Sequence, residues 1–241
     1  MKSQINVGLV GFGTVGTGTA KILLENRDLI ARRVGVPLVL QRIVDLDLAT
    51  DRGIALPDGL LSSDLPGLLN DPEIDIVIEL IGGFDTAKQV MLDAMAQGKH
   101  VVTANKALLA VHGEDIFGAA ARAGLDLGFE ASVGGGIPIV RSLTEGLAAN
   151  RCVSIVGILN GTANYILTQM LKEQQEFEDA LSQAQAKGYA EANPTFDIEG
   201  IDSLHKLAIM ISLAYGTPVN VKDVFTEGIK HVTALDIQYA S

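Results

Sequence analysis

The segment Ile5–Gly18, INVGLVGFGTVGTG, constrains this chain more than any other. An apolar run over Ile5–Val10 reads as a strand and passes through Gly11, Gly13 and Gly16 into a helix that starts at Thr14. G-x-G-x-x-G spacing is weak evidence alone, but between a strand and a helix it is the phosphate-binding turn of dinucleotide-binding folds. Gly11 permits the tight turn, Gly13 removes the Cβ that would keep a pyrophosphate away, and Gly16 lets helix pack closely on strand. The helix start then offers unpaired N–H groups and the positive end of its dipole. Gly11, Phe12, Gly13, Thr14, Val15 and Gly16 are therefore candidate cofactor contacts.

The pattern that follows repeats strand and helix. A helix is expected from Thr14 to about Arg33, a strand over Leu38–Val44, a short helix over Ser63–Asn70 and a strand over Ile74–Leu80. A helix over Thr86–Gln97, a strand over His100–Thr103, a helix over Lys106–Ala123 and a strand over Leu125–Phe129 complete the series. IDIVIEL has the continuous apolar centre of a strand covered on both faces. Such alternation implies a Rossmann-type parallel sheet of the α/β class. It stops near Glu130–Ile137, where glycines cluster, so we expect a dinucleotide-binding domain over 1–133 and an α+β substrate and dimerisation domain over 134–241. The second part is expected to hold a helix from Pro138 to Leu147, a strand over Val153–Leu159, helices over Thr162–Glu173, Glu178–Lys187 and Ile201–Tyr215, and a strand over Val224–Ile229.

Composition narrows the partners. Hydrophobic residues make up 48% of 241, enough for a sizeable core, and the net charge of −11 includes no basic stripe. Phosphate-rich polymers need clustered Lys and Arg, so nucleic acid is excluded as a partner. The longest apolar run, Leu207–Ala214, is too short to span a bilayer. The N-terminal residues run straight into the glycine motif, which argues against a secretory signal and predicts a cytoplasmic setting. The single cysteine, Cys152, lies in an apolar run and reads as a buried thiol. The four histidines have no metal-ligand spacing and read as structural or solvated.

Asp45 ends the second strand, where an acid usually takes the ribose hydroxyls and disfavours a 2′-phosphate. It lies farther than usual from Gly16, so the first helix must be long or its loop extended. No basic residue immediately follows it, which favours NAD over NADP; Arg42 and Arg52 keep NADP open, and a turn-capping Asp45 is the plain alternative. Thr103 ends the strand over His100–Thr103 and Lys106 follows it, at the end of the sheet where ligands bind. The glycine spacing alone fits a nicotinamide-binding sensor without turnover equally well. The lysine does not, because a sensor has no developing oxyanion to satisfy.

T-A-N-K at Thr103–Lys106 resembles the homoserine dehydrogenase family, and three further segments resemble it in the same order. They are FEASVGGGIPIV (Phe129–Val140), GILNGTANYIL (Gly157–Leu167) and GYAEANPTFDIEGIDSLHKLAI (Gly188–Ile209). The resemblance implies interconversion of L-homoserine and L-aspartate 4-semialdehyde with NAD or NADP, on the route to threonine, methionine and isoleucine. It implies Lys206 and Lys106 as catalytic groups, Glu191, Asp197 and Asp202 as substrate contacts, and Gly188 as a further cofactor contact. It also implies a structural sodium or potassium ion on the Glu130 carboxylate and the carbonyls of Val133, Gly135 and Ile137, and a homodimer through the second domain. Family members continue with a further strand and helix beyond a region like ALDIQYAS, so the second domain is expected to be incomplete.

The residue chemistry agrees with these roles. Reducing an aldehyde leaves negative charge on oxygen, which needs a proton and a nearby positive group. Asp202 and Lys206 stand i,i+4 and share a helix face. Backbone N–H groups of Gly161–Ala163 are candidates for the substrate carboxylate. A related two-domain dehydrogenase acting on another aldehyde or a sugar is the remaining alternative. An uncharged substrate has no use for three carboxylates.

Overall fold

The computed structural model describes residues 2–240 of the chain, which divides into two compact units, Met1–Gly136 and Ile137–Ser241. In the first unit β1 (Ile5–Val10), β2 (Leu38–Val44), β3 (Leu61–Ser62), β4 (Ile76–Glu79), β5 (His100–Thr103) and β6 (Leu127–Gly128) form one sheet. Its order is β3-β2-β1-β4-β5-β6 and every pairing is parallel. The strand order reverses direction between β1 and β4. That switch point opens a crevice at the strand C-terminal ends, which is where open parallel sheets bind ligands.

Helices α1 (Thr14–Glu25), α2 (Arg27–Val34), α3 (Leu65–Leu69), α4 (Asp85–Ala96) and α5 (Lys106–Ala123) link the strands. Val7, Leu9, Phe12, Ala20, Leu40 and Ile43 form a core between sheet and helix. Leu9 and Val77 are fully buried, as central strands covered on both faces require.

The first helix is not continuous to Arg33 as expected. It breaks at Asn26, which leaves helical geometry at φ −102°, ψ 14° and is flanked by α1 and α2. Asparagine is a poor helix-interior residue because its side chain competes for backbone groups. The long spacing from Gly16 to Asp45 is thus filled by a second helix. Gly35, left-handed at φ 85°, closes it before β2.

The second unit contains α6 (Ile139–Arg141), a wide π-type turn over Ser142–Gly146, α7 (Gly161–Glu173), α8 (Phe177–Ala186), α9 (Thr195–Ile198), α10 (Ile201–Tyr215) and α11 (Ala234–Ala240). Ile166 and Met170 of α7 pack on Phe177, Ala180 and Ala184 of α8.

Two expected strands are absent here. Val153–Leu159 is irregular, with Val153, Val156 and Ile158 at 88%, 94% and 77% exposure. A strand exists only within a ladder, and the described residues of this unit supply no neighbouring strand. For the same reason Cys152 is part-exposed rather than buried. Val224–Ile229 is also irregular and meets the end of α9 through one backbone bond, from the Ile229 N–H to the Ile198 carbonyl at 2.8 Å. A helix end offers a lone carbonyl there, not a ladder. No helix among the described residues is long and apolar enough to cross a membrane.

Candidate active site

In the first unit the glycine loop carries three distinct steric demands. Gly11 has φ 97°, and a Cβ there would stand 2.5 Å from the Leu80 carbonyl carbon. A Cβ on Gly16 would stand 2.0 Å from the Gly11 carbonyl oxygen, so α1 can approach the turn only without a side chain. A Cβ on Gly13 would meet no protein atom within 4 Å. The protein itself does not need a glycine at that position, whereas a pyrophosphate laid on the loop does. Thr14 and Val15, both exposed, open α1. The residues present therefore fit a dinucleotide.

Asp45 stands one strand away. Its Oδ2 accepts from the Phe12 N–H at 2.5 Å and its Oδ1 from the Asp47 N–H at 2.8 Å. It thus ties the glycine loop to the end of β2, so the turn-capping role is real. Arg52, seven residues on, folds back beside it. Its guanidinium lies 3.8 Å from Asp45 Oδ1, 3.4 Å from Asp47 Oδ2 and 4.9 Å from the centre of the Phe12 ring. Hydrogen bonds from Thr50 hold the Asp47 carboxyl down at about 2. Arg42 points into a different pairing, 3.1 Å from Asp71. Of the two arginines that kept NADP open, Arg52 is the one at the acid.

Sequence reasoning missed Glu79. This fully buried carboxylate ends β4 and accepts from the N–H groups of Ile81 at 2.8 Å and Gly82 at 3.2 Å. Its other oxygen accepts from the Thr103 hydroxyl at 2.7 Å. Thr103 Oγ1 in turn accepts from the Asn105 N–H, and Asn105 donates to the Gly83 carbonyl at 2.7 Å. Asn105 Oδ1 also caps α5 through the Leu108 N–H, which sets Lys106 as the first residue of that helix. One chain of hydrogen bonds therefore joins the loops after β4 and β5 at the crevice. The signal was an acid inside the apolar run IDIVIEL, a residue that a buried strand tolerates only with partners.

In the second unit four side chains meet. Asp202, on the first turn of α10, is buried, and its Oδ2 accepts from Lys206 Nζ at 2.6 Å. Lys206 Nζ also donates to the Leu159 carbonyl at 2.7 Å. Asn160 donates to Asp202 Oδ2 at 2.8 Å and to Asp197 Oδ1 at 2.6 Å. Its Oδ1 caps α7 by accepting from the Ala163 N–H, so that N–H is committed to the cap and not left for a substrate carboxylate. Asn160 lies inside GILNGTANYIL, but nothing in the sequence alone distinguishes it from Asn164.

The remaining candidates sit outside this network. Glu191 is exposed on the loop after α8, where its backbone carbonyl accepts from Gln185. Gly188, at φ 75°, follows the end of α8, a local task independent of any cofactor. Glu130 begins a short 3-10 turn, and its backbone carbonyl accepts from the Val133 N–H at 3.4 Å. Gly134 and Gly136 are both left-handed, at φ 62° and 83°, while Gly135 lies between them and Ile137 opens the second unit.

Comparison with known proteins agrees with both halves. Residues 11–130 match the family model described as the homoserine dehydrogenase NAD binding domain, and residues 138–241 match that of homoserine dehydrogenase. The chain is 44% identical over 236 residues to homoserine dehydrogenase of Bacillus subtilis (strain 168), covering 98% of this chain and 54% of that protein. It thus spans about half the length of the curated relatives it matches. Among solved structures, a homoserine dehydrogenase from Thiobacillus denitrificans aligns with TM-score 0.92 at 49% identity, covering 98% of this chain and 55% of that one. A putative homoserine dehydrogenase from Archaeoglobus fulgidus aligns with TM-score 0.85 at 32% identity, covering 98% and 76%. With an NAD-binding unit and a second unit that both match along nearly their whole length, this chain belongs to the homoserine dehydrogenase family.

Proposed function

We propose that the chain interconverts L-homoserine and L-aspartate 4-semialdehyde with NAD(P), a step of threonine, methionine and isoleucine biosynthesis. The observation that carries this reading is the Lys206–Asp202 pair, a lysine held by a buried carboxylate at 2.6 Å in a chain whose other unit is built for a dinucleotide. When bound, the nicotinamide supplies or accepts the hydride. Lys206 gives its proton to the aldehyde oxygen as charge develops there, and removes the hydroxyl proton in the reverse direction. Lys106 stabilises the same oxygen. Glu191 and Asp202 hold the substrate ammonium, and Asp197 orients the set.

Gly11 to Gly16, Asp45, Thr103, Lys106 and Gly188 hold the cofactor in this reading. Asp45 favours NAD by disfavouring a 2′-phosphate, and the guanidinium of Arg52 beside it reduces that bias. The Glu130 carboxylate and the carbonyls of Val133, Gly135 and Ile137 are hard oxygen donors of the kind a sodium or potassium ion takes. The protein works as a cytoplasmic homodimer.

The test follows absorbance of the reduced cofactor with homoserine plus NAD, then plus NADP, in wild type and in Lys106→Ala and Lys206→Ala. Turnover with both cofactors, faster with NAD and lost in both variants, is expected. Absence of turnover in the wild-type chain overturns the reading for this chain. Light scattering tests the dimer, and thermal midpoints in potassium, sodium and choline chloride test the ion.

A further inference from the structure

We propose that Asn160 is the positioning residue of the charged cluster: its single amide group clamps two carboxylates and, through one of them, sets where Lys206 stands. The inference rests on the dehydrogenase reading for its kinetic meaning and on geometry for the clamp itself.

Asn160 is only 7% exposed, so its polar atoms need partners within the protein. Its Oδ1 accepts from the Ala163 N–H at 2.7 Å. That bond fixes which end of the amide is which, and turns Nδ2 towards the acids. An amide nitrogen has two hydrogens. One goes to Asp197 Oδ1 at 2.6 Å and the other to Asp202 Oδ2 at 2.8 Å. Two carboxylates that share one amide nitrogen, one of them buried, repel each other. A doubly donating group between them offsets that repulsion and adds no charge.

The clamp also reaches the lysine. Lys206 Nζ shares Asp202 Oδ2 with Asn160, and its second partner is the carbonyl of Leu159, the residue directly before Asn160. Two adjacent residues at the start of α7 thus hold both the ammonium and its counter-ion. Lys206 belongs to α10, yet its tip is registered against the backbone that leads into α7. Moving that turn displaces the ammonium and Asp202 together. Asp197 on α9 and the pair on α10 are the charged groups bonded around the amide, so three elements converge on one side chain.

A plain cap is the competing role, and chemistry separates the two. Serine and aspartate both cap helices, but neither carries the paired N–H donors. Under the clamp, Asn160→Ser and Asn160→Asp lose kcat as Asn160→Ala does, by roughly 10- to 100-fold, the scale of a misplaced reacting group. The KM for NAD(P) stays within about twofold of wild type, as expected of a group that belongs to the unit without the glycine loop. Wild-type turnover in the Ser and Asp variants overturns the proposal.

Side-chain amide NMR of the full chain supplies a readout that needs no catalysis. Both Nδ2 protons of Asn160 should be protected from exchange, and both resonances should move in Asp202→Asn. Rapid exchange of either proton, or no response to that substitution, overturns the clamp. If wild type turns over no homoserine, the dehydrogenase reading fails, and the NMR result alone still decides the clamp.

Discussion

The two units differ in how they satisfy their backbones. In the nucleotide-binding unit every strand has a parallel neighbour, and the site grows from loops at the strand ends. In the second unit the described residues make helices only, and an apolar run over 153–159 lies exposed without a ladder. Yet the second unit holds the tighter polar cluster, with Asn160, Asp197, Asp202 and Lys206 all within bonding distance. Regular structure and a well-ordered charged site are therefore separate achievements. A sheet organises backbone N–H and C=O groups over a long range, whereas a few side chains at helix ends suffice to fix a charge.

The sharpest way to break this contrast is Lys206→Ala. If proton transfer resides in the second unit, turnover falls by roughly 10² to 10⁴ while cofactor affinity is unchanged. Equal loss of NAD(P) binding, measured by fluorescence titration, would mean the division of labour is wrong. Stability gives the complementary test. Leu9 is fully buried in β1, so Leu9→Ala should cost about 2–5 kcal/mol in chemical denaturation.

Two substitutions sharpen the ligand assignments. Glu191→Ala removes a charged partner of the substrate and should cost about 1.5–3 kcal/mol of binding, seen as a raised homoserine KM with cofactor KM unchanged. The reverse pattern would move Glu191 to the cofactor side. Asp45→Ala should weaken NAD by about 0.5–1.5 kcal/mol and NADP by less. Equal losses would leave Asp45 its observed tasks of accepting from the Phe12 and Asp47 N–H groups.

The smallest expected effect is the most diagnostic of the contrast. Val156 is 94% exposed, so Val156→Ala should change stability by no more than about 0.5 kcal/mol. A loss comparable with that of Leu9→Ala would show that the segment is packed in solution.

Much of the first unit was legible because its signals are local. β1, β2, β5 and α5 have the boundaries that periodicity gives, and α10 in the second unit does too. The break at Asn26 and the two-residue strand β3 were not legible, since each depends on what a neighbouring element offers. Val153–Leu159 and Val224–Ile229 have strand-like composition but no strand beside them, which composition cannot reveal. In the site, the i,i+4 step from Asp202 to Lys206 predicted their contact. Glu79, Asn105 and Asn160 escaped because their partners lie far along the chain.

The sequence alone determined the glycine turn, the parallel α/β unit and the family, for these follow from residue types at fixed short spacings. Tertiary structure alone decided that Arg52 returns to Asp45, that Glu79 joins two crevice loops, and that one amide bridges Asp197 and Asp202. The physical reason is range: helix and strand preferences act over a few residues, while a hydrogen bond between buried groups depends on which distant segments packing brings within about 3 Å.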